Sequence, residues 1–251
     1  MGSLHIFFLT IYCVNKFSKN LSVSQVFAAA SIGILIIQLP IRIRHFTPTL
    51  ITFPDFLLHC FGATFGFLHT KGRGFPKWVI SGLGFFIALF MYFEGYDLWL
   101  HKLNFGTYTG QVSYALPAKF EAIDQSKTLV TNTAFENKVV LLDFWNTSCG
   151  VCFRKFPQLQ SFYEKHANNS SVIIFAVDTP LEDDKEGQAF QMIRERNWTF
   201  PVVVTKDVDL ADRYGIEAYP TTLVLDKKGN VVFKGSIEGA TKLVEKLIRA
   251  G

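Results

Sequence analysis

The chain has only four cysteines in 251 residues, too few and too scattered for a disulfide-built scaffold. Cys13 and Cys60 lie in apolar runs, while Cys149 and Cys152 form a close pair. No second Cys or His pair accompanies them. His166 stands alone in the C-terminal half, so a zinc site would lack two ligands. There is no internal repeat and no low-complexity stretch. A basic stripe is also missing: residues 114–251 carry 17 Lys or Arg against 18 Asp or Glu. Nucleic-acid binding draws on clustered cations on a soluble face, and none is present. The basic excess falls in residues 1–113, with eight Lys or Arg against three Asp or Glu, between apolar runs.

What the chain does have is apolar bulk. Hydrophobic residues make up 49% of it, and 26 are Phe. Four apolar runs precede residue 100, and a membrane-spanning helix needs ~20 such residues. Spans are expected at about 4–17, 23–41, 50–69 and 76–93. The first is short, which leaves three spans, or a signal-peptide core in that place, as the alternative; Met1 to His5 carry none of the basic residues a signal peptide begins with. Short-loop charge sets orientation. In a four-span arrangement Lys16, Lys19, Lys71, Arg73 and Lys77 fall on one side. Arg42, Arg44 and Lys102 fall on the other, together with the C-terminal half. That bias places the C-terminal half outside the cytoplasm. The helical region is read as residues 1–93, followed by a linker over 94–113 in which Tyr92, Tyr96 and Trp99 suit a membrane–water interface.

From residue 114 to 251 short β-rich runs alternate with helical ones. Val139 to Trp145 (VVLLDFW) is a continuous apolar run of buried-strand length. Cys149 to His166 follows as a helix, with Phe153, Phe156, Leu159 and Phe162 at three- and four-residue spacing. Val172 to Val177 is a second buried strand, Lys185 to Arg196 a helix, Pro201 to Val204 a brief strand and Leu210 to Tyr214 a short helix. Thr221–Leu225 and Val231–Lys234 read as a hairpin around a Gly-containing turn, and Thr241–Ala250 as a closing amphipathic helix. The order implies an α/β fold, a mixed central sheet flanked by helices.

Cys149-Gly150-Val151-Cys152 follows a buried strand and opens a helix, the context that gives a C-x-x-C its meaning. A helix N-terminus offers unpaired N–H groups and partial positive charge, and both favour a thiolate. Cys149 is therefore the expected nucleophile, and Cys152, one turn along the same face, the resolving thiol. A purely structural disulfide across so small a loop would gain little loop entropy. Asp143, six residues earlier in the apolar strand, is the candidate proton acceptor for Cys152. Trp145, between them, is counted with the substrate-contacting candidates. The acidic run Glu182-Asp183-Asp184 reads as solvated surface, and no metal site is expected.

Two blocks, VVLLDFWNTSCGVCFRKFP (Val139 to Pro157) and RYGIEAYPTTLVLDKKGNVV (Arg213 to Val232), resemble the thioredoxin-like superfamily, nearest to its TlpA/ResA branch of membrane-anchored, extracytoplasmic thiol–disulfide oxidoreductases. The resemblance covers about residues 117–250. It implies a thioredoxin-like fold over 114–251, a cis Pro220 facing the cysteine pair, Tyr219 and Pro220 as substrate-binding residues, a helix kink at Pro157, and Asp143 as the buried acid. Ser148 stands where thioredoxin has Trp, and Val151 where many relatives have Pro.

Together these readings imply dithiol–disulfide exchange with exported protein substrates. The resemblance alone implies the reducing direction, as in cytochrome c maturation or envelope thiol homeostasis. The expected location is the bacterial inner membrane, multi-pass, with the thioredoxin-like domain periplasmic. The expected partners are protein thiols and disulfides, membrane lipid, and an electron donor in the membrane or envelope. No cofactor is expected beyond the redox-active pair. The rivals are a peroxiredoxin-like thiol peroxidase and a transmembrane electron relay through Cys13 and Cys60.

Overall fold

The computed structural model describes residues 2–17, 20–72, 74–116, 119–207 and 209–249. Lys19 and Arg73 of the loop-charge argument lie outside the described residues. The chain divides into two compact units, Met1–Leu103 and Asn104–Gly251.

The first unit is helical: α1 (Gly2–Phe17), α2 (Val23–Arg44), α3 (Phe46–Thr49), α4 (Phe53–Lys71), α5 (Phe75–Phe90) and α6 (Tyr96–Phe105). A 3-10 turn, Leu50–Thr52, leads into α4, and a π-turn, Met91–Gly95, joins α5 to α6. Three stretches among the described residues are long and apolar enough to cross a membrane: Val23–Arg44, Phe46–Lys71 and Pro76–Phe105. The first helix is shorter. Residues 96–105, expected as linker, instead continue the helix beyond residue 93. Ser22 starts α2 through a reciprocal capping box with Gln25. Close packing of α1 on α4 requires Gly66: a Cβ there would sit 2.9 Å from Thr10 Cβ. At the other end of α2 the Arg42 guanidinium donates to the carbonyls of Thr49 and Thr52, which ties α2 to the turn before α4.

The second unit is an eight-stranded mixed sheet. Its strands are β1 (Gln111–Ala115), β2 (Glu121–Asp124), β3 (Leu129–Thr131), β4 (Val139–Trp145), β5 (Val172–Asp178), β6 (Val202–Thr205), β7 (Thr221–Leu225) and β8 (Asn230–Gly235), in the spatial order β1-β8-β7-β4-β5-β6-β2-β3. Strand β4 is central, parallel to β5 and antiparallel to β7, and every one of its residues is buried. That explains a run with no polar alternation: a strand covered on both faces has no solvent side to mark.

Helices α7 (Gly150–His166), α8 (Gln188–Glu195) and α10 (Ile237–Arg249) cover one face. Leu141 and Trp145 of β4, Cys152, Phe156 and Leu159 of α7, and Ile237, Ala240 and Val244 of α10 meet in that core. On the opposite face Leu142 and Phe144 of β4 pack with Leu210 and Ala211 of the short helix α9 (Leu210–Arg213) and with Tyr214. The parallel β4–α7–β5 crossover puts the C-terminal ends of β4 and β5 side by side, with the start of α7 above them. This end of the sheet carries the candidate site.

Candidate active site

Strand β4 ends at Trp145, and four residues later Cys149 caps α7. The loop between is held by its own side chains. Asn146 Oδ1 accepts from the Ser148 N–H at 3.2 Å and from the Ser148 hydroxyl at 3.0 Å, and the Thr147 hydroxyl donates to Asp184 at 2.5 Å. This local bonding sets the backbone that brings Cys149 to the helix mouth.

Cys149 and Cys152 are joined as a disulfide, with Cα atoms 5.3 Å apart. The two sulfurs have different surroundings. Cys149 is half-buried, whereas Cys152 has no exposed surface. The Cys152 N–H donates to Cys149 Sγ at 3.1 Å, so the capping atom of α7 is the sulfur itself. In the reduced protein the same amide and the first turn of the helix would face a Cys149 thiolate, the arrangement that lowers a thiol from about 8.5 into the ~3.5–7.5 range.

Asp143 lies on the same side of β4 as Leu141 and Trp145, and therefore on the side of Cys152. It is 1% exposed, and the Thr222 hydroxyl donates to its Oδ1 at 2.7 Å. Burial pushes the Asp143 carboxyl up to about 7, against the downward pull of the Thr222 hydrogen bond and aided by the negative charge of Glu238. An acid that titrates near neutrality on the same face as a buried thiol can take up and return a proton there.

Tyr219–Pro220 is a cis peptide bond, directly before β7. Because Thr221 pairs with Phe144, this loop lies at the same end of the sheet as the Cys149 loop. A short hydroxyl chain anchors it. Thr179 Oγ1 is 2.9 Å from the Tyr219 hydroxyl and 3.1 Å from the Trp145 carbonyl, and the Thr179 N–H donates to that carbonyl as well. Two hydroxyls, each with one proton, suffice for both contacts.

Trp145 is placed differently from expectation. It is fully buried, edge-on to Phe153 and Phe156, so it supports the floor beneath the pair and does not reach a substrate chain. Its Nε1–H and Asp178 Oδ1 are both buried without a hydrogen-bond partner among the described residues. These residues pair in the β4–β5 register, and each offers what the other lacks. Burial, reinforced by the charge of Asp184, pushes Asp178 up to about 7.

Thr222, Thr179 and Asp178 were not singled out from the sequence. Asp178 carried the same signal as Asp143, an acid at the end of an apolar run. The two threonines become visible only once the strand register is known. The described residues contain no cluster of three or more His, Cys, Asp or Glu able to hold a metal ion.

A strand–Cys-x-x-Cys–helix unit on a mixed sheet, with a cis-proline loop at the same end, defines a thioredoxin-like domain. Residues 113–234 match the AhpC/TSA family model. The chain is 31% identical over 97 residues to the thiol-disulfide oxidoreductase ResA of Halalkalibacterium halodurans, covering 39% of this chain and 53% of the relative. It is 29% identical over 119 residues to the sporulation thiol-disulfide oxidoreductase A of Bacillus subtilis, covering 47% of this chain and 70% of the relative. The chain thus spans about half the length of the first of these relatives. Among solved structures, the thioredoxin domain of a Bacteroides vulgatus thiol-disulfide oxidoreductase aligns at 24% identity with a TM-score of 0.47, covering 54% of this chain and 96% of that one.

Proposed function

We propose that this chain is a membrane-anchored thiol–disulfide oxidoreductase that reduces disulfides in exported proteins. The observation that carries this reading is the Cys149–Cys152 disulfide at the mouth of α7, with Cys149 partly exposed and Cys152 sealed in the core. Such asymmetry suits a two-step exchange. Cys149 attacks the substrate disulfide, and Cys152 then releases the substrate by closing the ring. Electrons and protons reside in the pair itself, so the reaction as proposed uses no bound cofactor.

The oxidoreductase names of the matched relatives support the reaction class. Tyr219 and Pro220 are assigned to the substrate chain, Cys149 to attack, Cys152 to resolution and Asp143 to the proton. Three long apolar helices support the anchor, and loop charge supports placing the pair on the extracytoplasmic side of a bacterial inner membrane. Apocytochrome c cysteines or other envelope thiols are the proposed substrates, with a membrane or envelope protein as electron donor.

The test uses the full chain in detergent micelles. Dithiothreitol-driven insulin reduction should be catalysed, and Cys149→Ser should abolish it. Activity retained by Cys149→Ser would overturn the assignment, and rapid peroxide consumption by the reduced chain would favour a thiol peroxidase. Equilibration with glutathione buffers then reports the direction: a strongly reducing potential supports a reductase, and an oxidising one reverses it.

A further inference from the structure

A row of paired residues crosses three strands and ends at the start of α10. Asp143 of β4 pairs with Thr222 of β7, and Thr222 pairs with Gly235 of β8. The chain then turns through Ser236 into α10, whose Ile237 and Ala240 enter the core shared by Trp145 and Cys152. Glu238, three residues past Gly235, is therefore carried back over the face on which Asp143 lies, and its charge is felt there. Lys155 comes from the other side. It stands on α7 three residues after Cys152, and its ammonium donates to Glu238 Oε1. Both side chains are a little over one-third exposed. Burial alone would raise the Glu238 carboxyl. Hydrogen bonds from Lys155, its own backbone and Ser236 outweigh it and hold the group below its ordinary value.

We propose that Lys155 and Glu238 are positioning residues for the resolving step: their ion pair bridges α7 and α10 above Asp143 and governs when that carboxyl takes the proton of Cys152. This rests on the oxidoreductase reading above. In the step concerned, Cys149 is joined to the substrate as a mixed disulfide. The Cys152 S–H gives its proton to the Asp143 carboxylate, and the resulting thiolate attacks Cys149 Sγ. The new sulfur–sulfur bond forms as the bond to the substrate breaks. The substrate leaves as a thiolate that takes a proton from water, so the substrate has gained two electrons and the pair has lost them.

Titratable groups lie on each element that packs over the Asp143 face, and Glu238 is the charge that acts on it directly. From α7 come Cys152 and Lys155, and from α10 Glu238. At the end of β5, on the same face, is Asp178. The partner of Asp143 on β7, Thr222, is uncharged. Glu238 disfavours the ionised form of Asp143, and Lys155 offsets Glu238. Removing one member therefore leaves the other's sign unopposed. Glu238→Gln should let Asp143 ionise at lower pH, and Lys155→Met should delay ionisation to higher pH. If the pair merely braced the two helices, both variants would break the same brace and act in the same direction. A partly exposed pair adds little to stability, so both variants are expected to fold.

The experiment is stopped-flow reaction of the reduced full chain, in detergent micelles, with dithiobis(nitrobenzoate). Release of the second thionitrobenzoate reports attack by Cys152, and its rate is followed against pH. The apparent midpoint, which belongs to the Asp143–Cys152 couple, should fall by roughly half to one pH unit in Glu238→Gln and rise by a similar amount in Lys155→Met. The double variant should return close to the parent, and in an Asp143→Asn background neither change should move the profile. Shifts in the same direction, shifts that persist without Asp143, or unmoved midpoints would overturn the proposal. Failure of the parent chain to release the second group would instead sink the oxidoreductase reading itself.

Discussion

Asp143 and Thr222 face each other across the β4–β7 ladder, and the Thr222 hydroxyl donates to Asp143 Oδ1 at 2.7 Å. One neutral hydrogen bond does not compensate a buried carboxylate for the loss of water. Asp143 accordingly holds its proton up to about 7, well above the ordinary 3.8. A group whose folded value is raised in this way favours the folded state while protonated. Between 3.8 and about 7 the unfolded chain has already lost a proton that the folded chain still binds, so stability falls as pH rises through that window.

Asp143→Asn removes this penalty. The variant should be more stable than its parent at alkaline pH, by up to about 4 kcal/mol. The gain should be about 2–3 kcal/mol larger at pH 8 than at pH 5. Hydrogen exchange of β4 and β7 amides, comparing variant with parent at each pH, measures it. A gain that does not depend on pH would show that Asp143 is not the titrating group. The same variant should slow the resolving step, so stability and turnover move in opposite directions.

Phe156 is fully buried on α7 and touches the rings of Trp145, Phe153, Trp198 and Phe200. Phe156→Ala opens a cavity under the cysteine pair and should cost ~3–5 kcal/mol. Denaturant unfolding followed by tryptophan fluorescence reads the loss, since two of the touching rings are indoles. Phe156→Leu should recover most of it.

Thr179 holds the Tyr219 loop to the end of β4 through its hydroxyl. Thr179→Val keeps the shape and removes both contacts. The loss of one such hydrogen bond, ~0.5–1.5 kcal/mol, corresponds to a rise in KM for insulin of roughly 2- to 12-fold. The potential of the pair should hardly move. A changed potential with unchanged KM would place Thr179 in the chemistry of the sulfurs and not in substrate positioning.

Much of the site was legible because its parts are local. A C-x-x-C between an apolar run and a helical pattern is a signal contained in 20 residues, and Tyr219-Pro220 before TTLVL is another. What escaped depends on register and on burial from both sides. Strand β4 has no polar alternation, so nothing in VVLLDFW told which face Trp145 would take, and it turned inward. Helix α10 begins at Ile237, earlier than Thr241; Gly239, which weakens the helical pattern there, is required by packing, since a Cβ at that position would lie 2.5 Å from the Phe233 ring. Strands β2 and β3, four and three residues long at the far edge of the sheet, are too short to carry a pattern of their own. The Lys155–Glu238 pair joins residues 83 apart in sequence, a distance no local spacing reports.

The proposed chemistry depends on the ionisation of a single sulfur at the start of α7, and alkylation of the reduced full chain with iodoacetamide across pH tests it most directly. Mass spectrometry of the two cysteines should show Cys149 labelled with a midpoint within ~3.5–7.5, while Cys152 stays protected in the core. Labelling of Cys149 only near about 8.5, or equal labelling of both thiols, would contradict it.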